Sequence, residues 1–344
     1  MTRTRRGSIL LCFAAFWACA LPLSCFIGPV PLSPAEVFQA LCAKLGLAAS
    51  PAAGSTSLLV VGDIRLARVV IAALCGGALA MAGVTLQGVL RNPLADPFTL
   101  GISAGAACGA SLVIALGGEL SPAVLPGISQ TGLIAPAALA GALLALFGAI
   151  WLGSGKSALR RESVVLAGIA VSAFLGALVT LIKALHEESV TSIVFWLLGS
   201  LQGRGWDYLP MLLSALAPGV LIVSLNFRKL DLLCLGDDEA ARLGLNVGSA
   251  RFWLLTGAGM MTAGCVSVAG IIAFVGLVAP HLLRLCLGGA HGPLLTGAFF
   301  GGGLLLVIAD ALGRCLPGGQ ELPVGVVTAL LGGPFFALLV RRRR

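Results

Sequence analysis

The stretch RLARVVIAALCGGALAMAGVTLQGVLRNPLADPFTLGISAGA, residues 65–106, decides the class of fold. Its part from 69 to 90 carries no charged residue. A transmembrane helix needs about 20 mostly apolar residues, so this run is long enough to cross a bilayer. The prolines that follow Asn92 and Asp96 then stop the helix, because each proline biases its predecessor away from the α-helical conformation.

The composition of the whole chain agrees with a lipid environment. The chain is 58% hydrophobic and 10% charged, with a mean hydropathy of +1.03, whereas a soluble domain carries about 25% charged residues. The 47 glycines suit closely packed membrane helices. Long runs that are apolar on every face argue against a membrane β-barrel, whose strands alternate over about ten residues. The ten cysteines show no metal-ligand spacing, so we expect no metal and no cofactor on this chain.

Apolar runs of sufficient length predict an all-α membrane protein with a single transmembrane domain over residues 1–344. The first run is too long for the apolar core of a typical signal peptide, so we interpret it as an uncleaved helix. A further apolar segment, 190–201, is too short to span and predicts an interfacial or re-entrant helix. The ten predicted spans are 8–28, 64–89, 98–117, 130–152, 163–185, 207–227, 250–269, 271–287, 293–313 and 324–340.

The distribution of Lys and Arg predicts the orientation. With the N-terminus inside, sixteen of the 22 basic residues fall on the inner side, as the positive-inside rule expects. Both termini are then cytoplasmic, and the final RRRR at 341–344 anchors the last helix. The basic residues lie at membrane ends rather than in one patch, so the charge gives no indication of nucleic-acid binding. The six outer residues are Lys44, Arg65, Arg68, Lys183, Arg204 and Arg314.

A charged island interrupts the apolar pattern at RKLDLLCLGDDEAARLGLNVGSAR, residues 228–251. Gly236 is expected to break one helical run, Asp237 to cap the next, and Gly244 to close it. Acidic residues at the start and Arg242 at the end suit the helix dipole. The pattern predicts a short, water-exposed helix on the inner face, which is either a simple connection or a docking surface.

Three other features leave two interpretations each. The segment around Asn92 is either a tight turn or a gate. The arginines at the outer ends are either interfacial anchors or contacts for a soluble partner. Asp310 lies in an apolar run, and an intramembrane carboxylate suggests function; a pair with Arg314 at i+4 is the simpler interpretation.

The two halves of the chain echo each other weakly. LAMAGVTLQGVLRNPLADPFTLGISAG and MMTAGCVSVAGIIAFVGLVAPHLLRL share glycine spacing and a closing turn that contains proline. Spans 2–5 and 7–10 enter the membrane from opposite sides. This pattern predicts an inverted repeat of the kind found in transporters.

Six ordered blocks resemble the FecCD/BtuC-type permeases, the membrane subunits of ABC importers for iron chelates, haem and cobalamin. The resemblance covers nearly the whole chain and implies the type II ABC importer permease fold. Residues 155–162 depart from the family pattern, because the bulky Arg-Arg-Glu replaces small hydroxyl residues there. The blocks are PLSPAEV, the stretch that opens this section, SIVFWLLGSLQGRGW, DEAARLGLNVGSAR, GIIAFVGLVAPHLLR and QELPVGVVTALLGGPFF.

The resemblance implies roles for three groups of residues. Coupling helices at about 229–248 would dock on an ATPase subunit through Asp238, Glu239, Arg242, Leu243 and Gly244. Outer-face contacts to a substrate-binding protein would come from Arg65, Arg68 and Arg314. An inner gate would lie at Asn92, Pro93 and Leu94.

The resemblance also implies partners and a division of labour. The partners are a second permease copy, with a homodimer expected, two ATPase subunits, an extracytoplasmic binding protein and membrane lipid. GSGKSALRR at 153–161 lacks the spacing of a phosphate-binding loop, so ATP would be hydrolysed on the separate ATPase chain and this chain is no enzyme. The cargo would be a ferric siderophore first, then haem or cobalamin. The alternative is a secondary transporter driven by an ion gradient through Asp310.

Overall fold

The computed structural model describes residues 3–47, 56–124, 130–154, 159–315 and 320–341, and these residues contain no β-strand. A π-helical turn, Leu59–Arg65, leads directly into the third helix. The α-helices longer than one turn in these ranges are α1 (Arg3–Ser24), α2 (Pro34–Lys44), α3 (Leu66–Val89), α4 (Ile102–Val124), α5 (Gln130–Gly153), α6 (Arg161–Leu185), α7 (Val190–Leu197), α8 (Leu209–Leu233), α9 (Asp237–Arg242), α10 (Val247–Ala269), α11 (Val275–Leu287), α12 (His291–Gly313) and α13 (Val324–Arg341).

Ten of these helices match the predicted spans. Seven are long and apolar enough to cross a membrane, and α4, α11 and α13 contribute shorter apolar stretches. The eighth span was predicted from residue 271, but α11 begins at Val275 and has only 13 residues. The chain between Gly270 and Phe274 is not helical, so α11 crosses about 20 Å at 1.5 Å per residue.

Helices α3 and α10 form the centre of the bundle. Of the 18 most apolar consecutive residues in each helix, 89% are buried in the span that contains α3 and 83% in α10, more than in the other long helices. Small residues make this possible, since they let backbones touch without intervening side chains. A Cβ placed on Gly83 of α3 would lie only 1.8 Å from the carbonyl oxygen of Gly276 in α11. Likewise, a Cβ on Gly302 of α12 would lie 2.4 Å from the carbonyl oxygen of Gly76.

Two non-helical connections enter the bundle from opposite ends. One follows α3 and leads through a 3-10 turn, Pro97–Leu100, into α4. The other follows α10 and leads into α11 through Phe274, which adopts a left-handed conformation with φ 69. They approach each other, because a Cβ on Gly276 would lie 2.8 Å from the Pro97 ring. The predicted echo between the halves therefore falls on corresponding elements, α3–α4 and α10–α11.

Helix directions define the two ends of the bundle. We call the end that holds Arg65, Arg68 and Arg314 the arginine face, and the end that holds α9 the α9 face. Among the described residues, the basic residues predicted to lie outside are at the arginine face. Those predicted to lie inside are at the α9 face. Lys156 and residues 342–344, which were counted on the inner side, lie outside the described ranges.

Two short helices lie at the arginine face. Helix α2 starts with the predicted capping box: the Glu36 amide donates to the Ser33 hydroxyl, and the Ser33 amide donates to the Glu36 carboxylate at 2.7 Å. Helix α7 occupies the segment predicted to be too short to span, and its residues Ile193 and Trp196 are buried. The indole of Trp206, further along this connection, donates to the Gly62 carbonyl at 3.0 Å.

Candidate functional site

Helix α9 is a separate six-residue unit bounded by glycines. Gly236 has φ 126 and Gly244 has φ 83, conformations that side-chain-bearing residues rarely adopt. The predicted break and closure at these two glycines are confirmed. The predicted cap is wrong: Gly236 is the N-cap residue, and Asp237 already lies inside the helix.

The Asp237 carboxylate binds an arginine of the next helix instead of capping its own. Nη2 of Arg251 donates to both carboxylate oxygens of Asp237, at 2.9 and 3.0 Å. Nη1 of the same guanidinium donates to the carbonyl oxygen of Leu159, just before α6. The Arg251 side chain is 1% exposed, and a buried cation needs such partners. Asp237 therefore attaches α9 to the bundle.

The opposite side of α9 is open to solvent. Asp238, Glu239, Arg242, Leu243 and Gly244, the residues that the resemblance assigned to coupling, are all exposed. Glu239 and Arg242 lie 3.5 Å apart in an exposed i, i+3 ion pair, which adds little stability at the surface. The buried Ala240 holds the inner side. The result is a rigid, charged, accessible helix with an apolar residue, Leu243, at its end.

The resemblance implied more than one coupling helix at about 229–248, but the structure shows one short helix there, α9. Within 229–248, residues up to Leu233 continue the long helix α8, and α9 is the one separate helix. No helix breaker occurs in KLDLL, so α8 extends beyond its apolar part. Asp231 in this extension receives hydrogen bonds from the backbone and ring of His291, at 3.1 and 2.6 Å. This pair fixes the end of α8 to the start of α12.

The predicted gate residues form a tight turn on the α9 face. Asn92 is exposed, and its Oδ1 accepts a hydrogen bond from the Leu94 amide at 3.0 Å. Asp96 then caps the 3-10 turn by accepting from the Phe98 amide at 2.9 Å. Pro93 and Leu94 are partly buried. The turn directs the chain back into the bundle, and its role as a gate stays a prediction.

The three outer arginines lie together, but they are not free. Arg68 lies 2.8 Å from Asp310 and 2.6 Å from Glu321, and its side chain is 8% exposed. Arg314 donates to carbonyls at the end of α1 and to the Ser24 hydroxyl. These contacts tie α3, α12, α1 and the segment before α13 together.

Arg65 completes this network at the start of α3. Its guanidinium donates to the carbonyls of Cys25, at 2.9 Å, and of Val30, and the residue is 4% exposed. All three guanidinium groups are therefore buried and hydrogen-bonded within this chain. The expectation that they present free positive charge to a soluble partner needs correction. Buried guanidinium groups require carbonyl or carboxylate partners, and this chain supplies them.

Asp310 is the carboxylate on which secondary transport would depend. It is 1% exposed, at the arginine face, between Arg68 and Arg314, whose Nε lies 3.0 Å away. The predicted i, i+4 pair with Arg314 is confirmed. An ion-coupling carboxylate must be reached from both sides of the membrane, and this one is enclosed by two cations. The geometry does not favour the alternative of gradient-driven transport.

Two charged residues in these ion pairs, Arg251 and Glu321, were not predicted as partners from the sequence. Arg251 was counted only as an inner basic residue, and Glu321 was noted only as part of QELP. Nothing in the local sequence indicates their partners, Asp237 and Arg68, because the contacts are long-range or cross a turn. A buried pair was signalled only by the rarity of charges in the chain. Among the described residues, no three His, Cys, Asp or Glu side chains come together as potential metal ligands.

Comparison with known proteins gives a consistent result. A haemin transport system permease of Yersinia pestis is 40% identical over 284 residues, covering 82% of this chain and 83% of the relative. An Fe(3+) dicitrate transport system permease of Escherichia coli is 36% identical over 331 residues, covering 95% and 93%. A vitamin B12 import system permease of Vibrio cholerae is 35% identical over 341 residues, covering 99% and 95%.

A solved structure and a family model agree with these relatives. An inward-facing metal-chelate type ABC transporter superposes with a TM-score of 0.82 at 30% identity, covering 98% of this chain and 99% of that one. The model of the FecCD transport family matches residues 15–342. Because the family model covers most of the chain and the relatives match over most of their own lengths, the chain belongs to the FecCD transport family of ABC importer permeases.

Proposed function

We propose that this multi-pass permease imports a metal chelate, a ferric siderophore before haem or cobalamin, with ATP hydrolysed by separate subunits. The observation that carries the proposal is α9, a rigid exposed helix between two positive-φ glycines. The relatives named as iron-citrate, haemin and vitamin B12 permeases support this class of cargo. The permease itself does no covalent chemistry and binds no cofactor.

The α9 face is cytoplasmic in this proposal. The excess of Lys and Arg at this end supports the orientation, which places both termini inside. Asp238, Glu239, Arg242, Leu243 and Gly244 then meet the ATPase subunit. A rigid helix passes on a rigid-body movement, which a flexible loop would absorb.

The complete importer contains two permease copies, two ATPase subunits and an extracytoplasmic binding protein. A homodimer places the pathway along its two-fold axis, with Asn92, Pro93 and Leu94 near the inner gate. The binding protein docks on the arginine face. Since Arg65, Arg68 and Arg314 are buried, they act there by holding the ends of the helices in place.

The test is uptake into proteoliposomes that contain this chain with its ATPase and binding protein. Ferric siderophores, haem and cobalamin are offered separately, with ATP or with an ion gradient alone. Arg242→Glu reverses an exposed charge on α9, and Arg228→Glu reverses an exposed charge on the same face outside α9. The proposal expects ATP-dependent uptake that falls at least tenfold in Arg242→Glu and less than twofold in Arg228→Glu.

The contrary results are equally specific. Uptake by a gradient without ATP would overturn the proposal in favour of secondary transport. Equal losses in the two arginine variants would overturn the assignment of α9 as the ATPase contact. The ligand that is taken up identifies the cargo class.

A further inference from the structure

Arg251 makes contacts that the coupling surface does not require. It is among the largest fully buried side chains of the described residues. It lies in the first turns of α10, and its guanidinium reaches in two directions at once. One amino group donates to both Asp237 oxygens on α9, and the other donates to the Leu159 carbonyl.

Leu159 is itself fixed. Its side chain is 7% exposed and belongs to the hydrophobic core. Arg160 follows as the N-cap residue of α6, and the Val164 amide donates to its carbonyl at 3.2 Å. A displacement of Leu159 therefore displaces the first turn of α6, a 25-residue helix.

Helix α9 has few other attachments to the bundle. Its neighbours Gly236 and Gly244 have positive φ, so its two ends are joined to α8 and α10 by turns. Its side chains other than Asp237 and Ala240 point to solvent. The strongest directional contact of α9 with the bundle is thus the Asp237–Arg251 pair, because a charged pair with two hydrogen bonds is stronger than a neutral contact.

We propose that Arg251 is a positioning residue that links α9 to the start of α6. Movement of α9 reaches α6 through Asp237, the Arg251 guanidinium at the start of α10 and the Leu159 carbonyl. The inference rests on the proposed function, because it assumes that ATPase subunits move α9. It adds a route that the docking surface alone does not define.

The shape of the arginine side chain explains why this residue type serves here. Its planar guanidinium offers several donors in a fixed fork. One group can therefore bind a carboxylate on one side and a carbonyl on the other without changing its conformation. A lysine ammonium at the same position has the charge, but it is a compact group and cannot span both partners.

Hydrogen–deuterium exchange on the assembled importer tests the link. Exchange is measured by mass spectrometry with and without ATP plus vanadate, in peptides that cover α9 and residues 159–170. Asp237→Asn removes the charge that holds Arg251 to α9. Asp231→Asn is the matched control, since it makes the same change on the same face but disrupts the pair with His291.

The expected result separates the two segments. In the unaltered protein and in Asp231→Asn, nucleotide changes exchange in both. In Asp237→Asn the change at α9 persists, while the change at 159–170 falls at least fivefold. ATP hydrolysed per chelate imported rises by a similar factor, because α9 still moves without moving α6. A purely structural role would shift the exchange baseline and leave the response to nucleotide.

An unchanged nucleotide response at 159–170 in Asp237→Asn overturns the link and leaves the proposed function standing. No response at α9 in the unaltered importer overturns the proposed function, and the link falls with it. If Asp237→Asn does not assemble, Arg251→Lys keeps the charge and loses the fork. The same fivefold loss at 159–170 is then expected, and a full response contradicts the link.

Discussion

Nη2 of Arg68 and Oδ1 of Asp310 lie 2.8 Å apart, and this buried ion pair joins residues 242 positions apart in the chain. Asp310 also faces Arg314, and Arg68 also holds Glu321. Two carboxylates thus balance two arginines inside the arginine face. The charges that suggested ion coupling or partner docking instead close the bundle at this end.

Neutralising Asp310 is expected to destabilise the protein strongly. In Asp310→Asn, Arg68 and Arg314 lose a buried counter-charge, and the free energy of unfolding is expected to fall by about 3–5 kcal/mol. The measurement is thermal unfolding of the purified chain in detergent micelles. Asp63→Asn is the control, because the Lys44–Asp63 pair has side chains 37% and 51% exposed. Its loss is expected to cost less than about 1 kcal/mol, and equal shifts would contradict the structural role of Asp310.

Adding one methyl group at Gly83 is expected to disrupt the contact between α3 and α11. The new Cβ would lie 1.8 Å from a backbone oxygen of Gly276, so a helix has to move. Overpacking of this kind costs about 1–3 kcal/mol or more. Gly148→Ala is the control, since a Cβ there meets nothing within 4 Å. A Gly83→Ala variant as stable as Gly148→Ala in the same unfolding assay would refute the contact.

The left-handed conformation of Gly244 predicts a second glycine effect. Gly244→Ala forces an alanine to φ 83, which costs roughly 1–2 kcal/mol and favours a different end to α9. ATP-dependent uptake is expected to fall, while assembly with the binding protein is retained. Gly176→Ala, in the interior of α6 with open space around it, should leave uptake unchanged. Normal uptake by Gly244→Ala would mean that this turn does not set the position of α9.

The capping box of α2 predicts a dependence on pH. Hydrogen bonds from the Ser33 hydroxyl, and then from its backbone amide, lower the pKa of Glu36. A lowered pKa means that the stabilisation is present above the pKa of an unfolded glutamate and is lost as pH falls through the folded value. Ser33→Ala should move the pKa of Glu36 back towards its ordinary value. NMR titration of the labelled glutamate carboxyl carbons measures this, and an unchanged midpoint would contradict the capping box.

Local rules were sufficient for much of the fold. The uncharged run at 69–90 predicted a helix that is now the buried centre of the bundle. Gly236 and Gly244 were identified as helix boundaries, because glycine is the residue that positive φ requires. The capping box at Ser33 was also readable, since its two partners are three residues apart.

Contacts between distant segments could not be predicted in this way. The i, i+4 pair of Arg314 with Asp310 was predictable, but Arg65 and Arg314 also bind carbonyls at and after the end of α1, and carbonyls leave no mark in a sequence. Helix α11 begins four residues later than predicted, after Phe274, which has positive φ although its residue type rarely does. Aspartate is a common N-cap residue, but the Asp237 carboxylate binds the buried guanidinium of Arg251 instead.

The bonds from Arg314 to the end of α1 have a consequence for biogenesis. Ser24 is synthesised 290 residues before Arg314, so early in insertion the end of α1 lacks its final partner. Unsatisfied carbonyls are costly in hydrocarbon. Until α12 has been synthesised, the carbonyls at the end of α1 therefore need other hydrogen-bond donors, such as water. The end of α1 is thus fixed only after α12 has been synthesised, although α1 precedes α12 by most of the described chain.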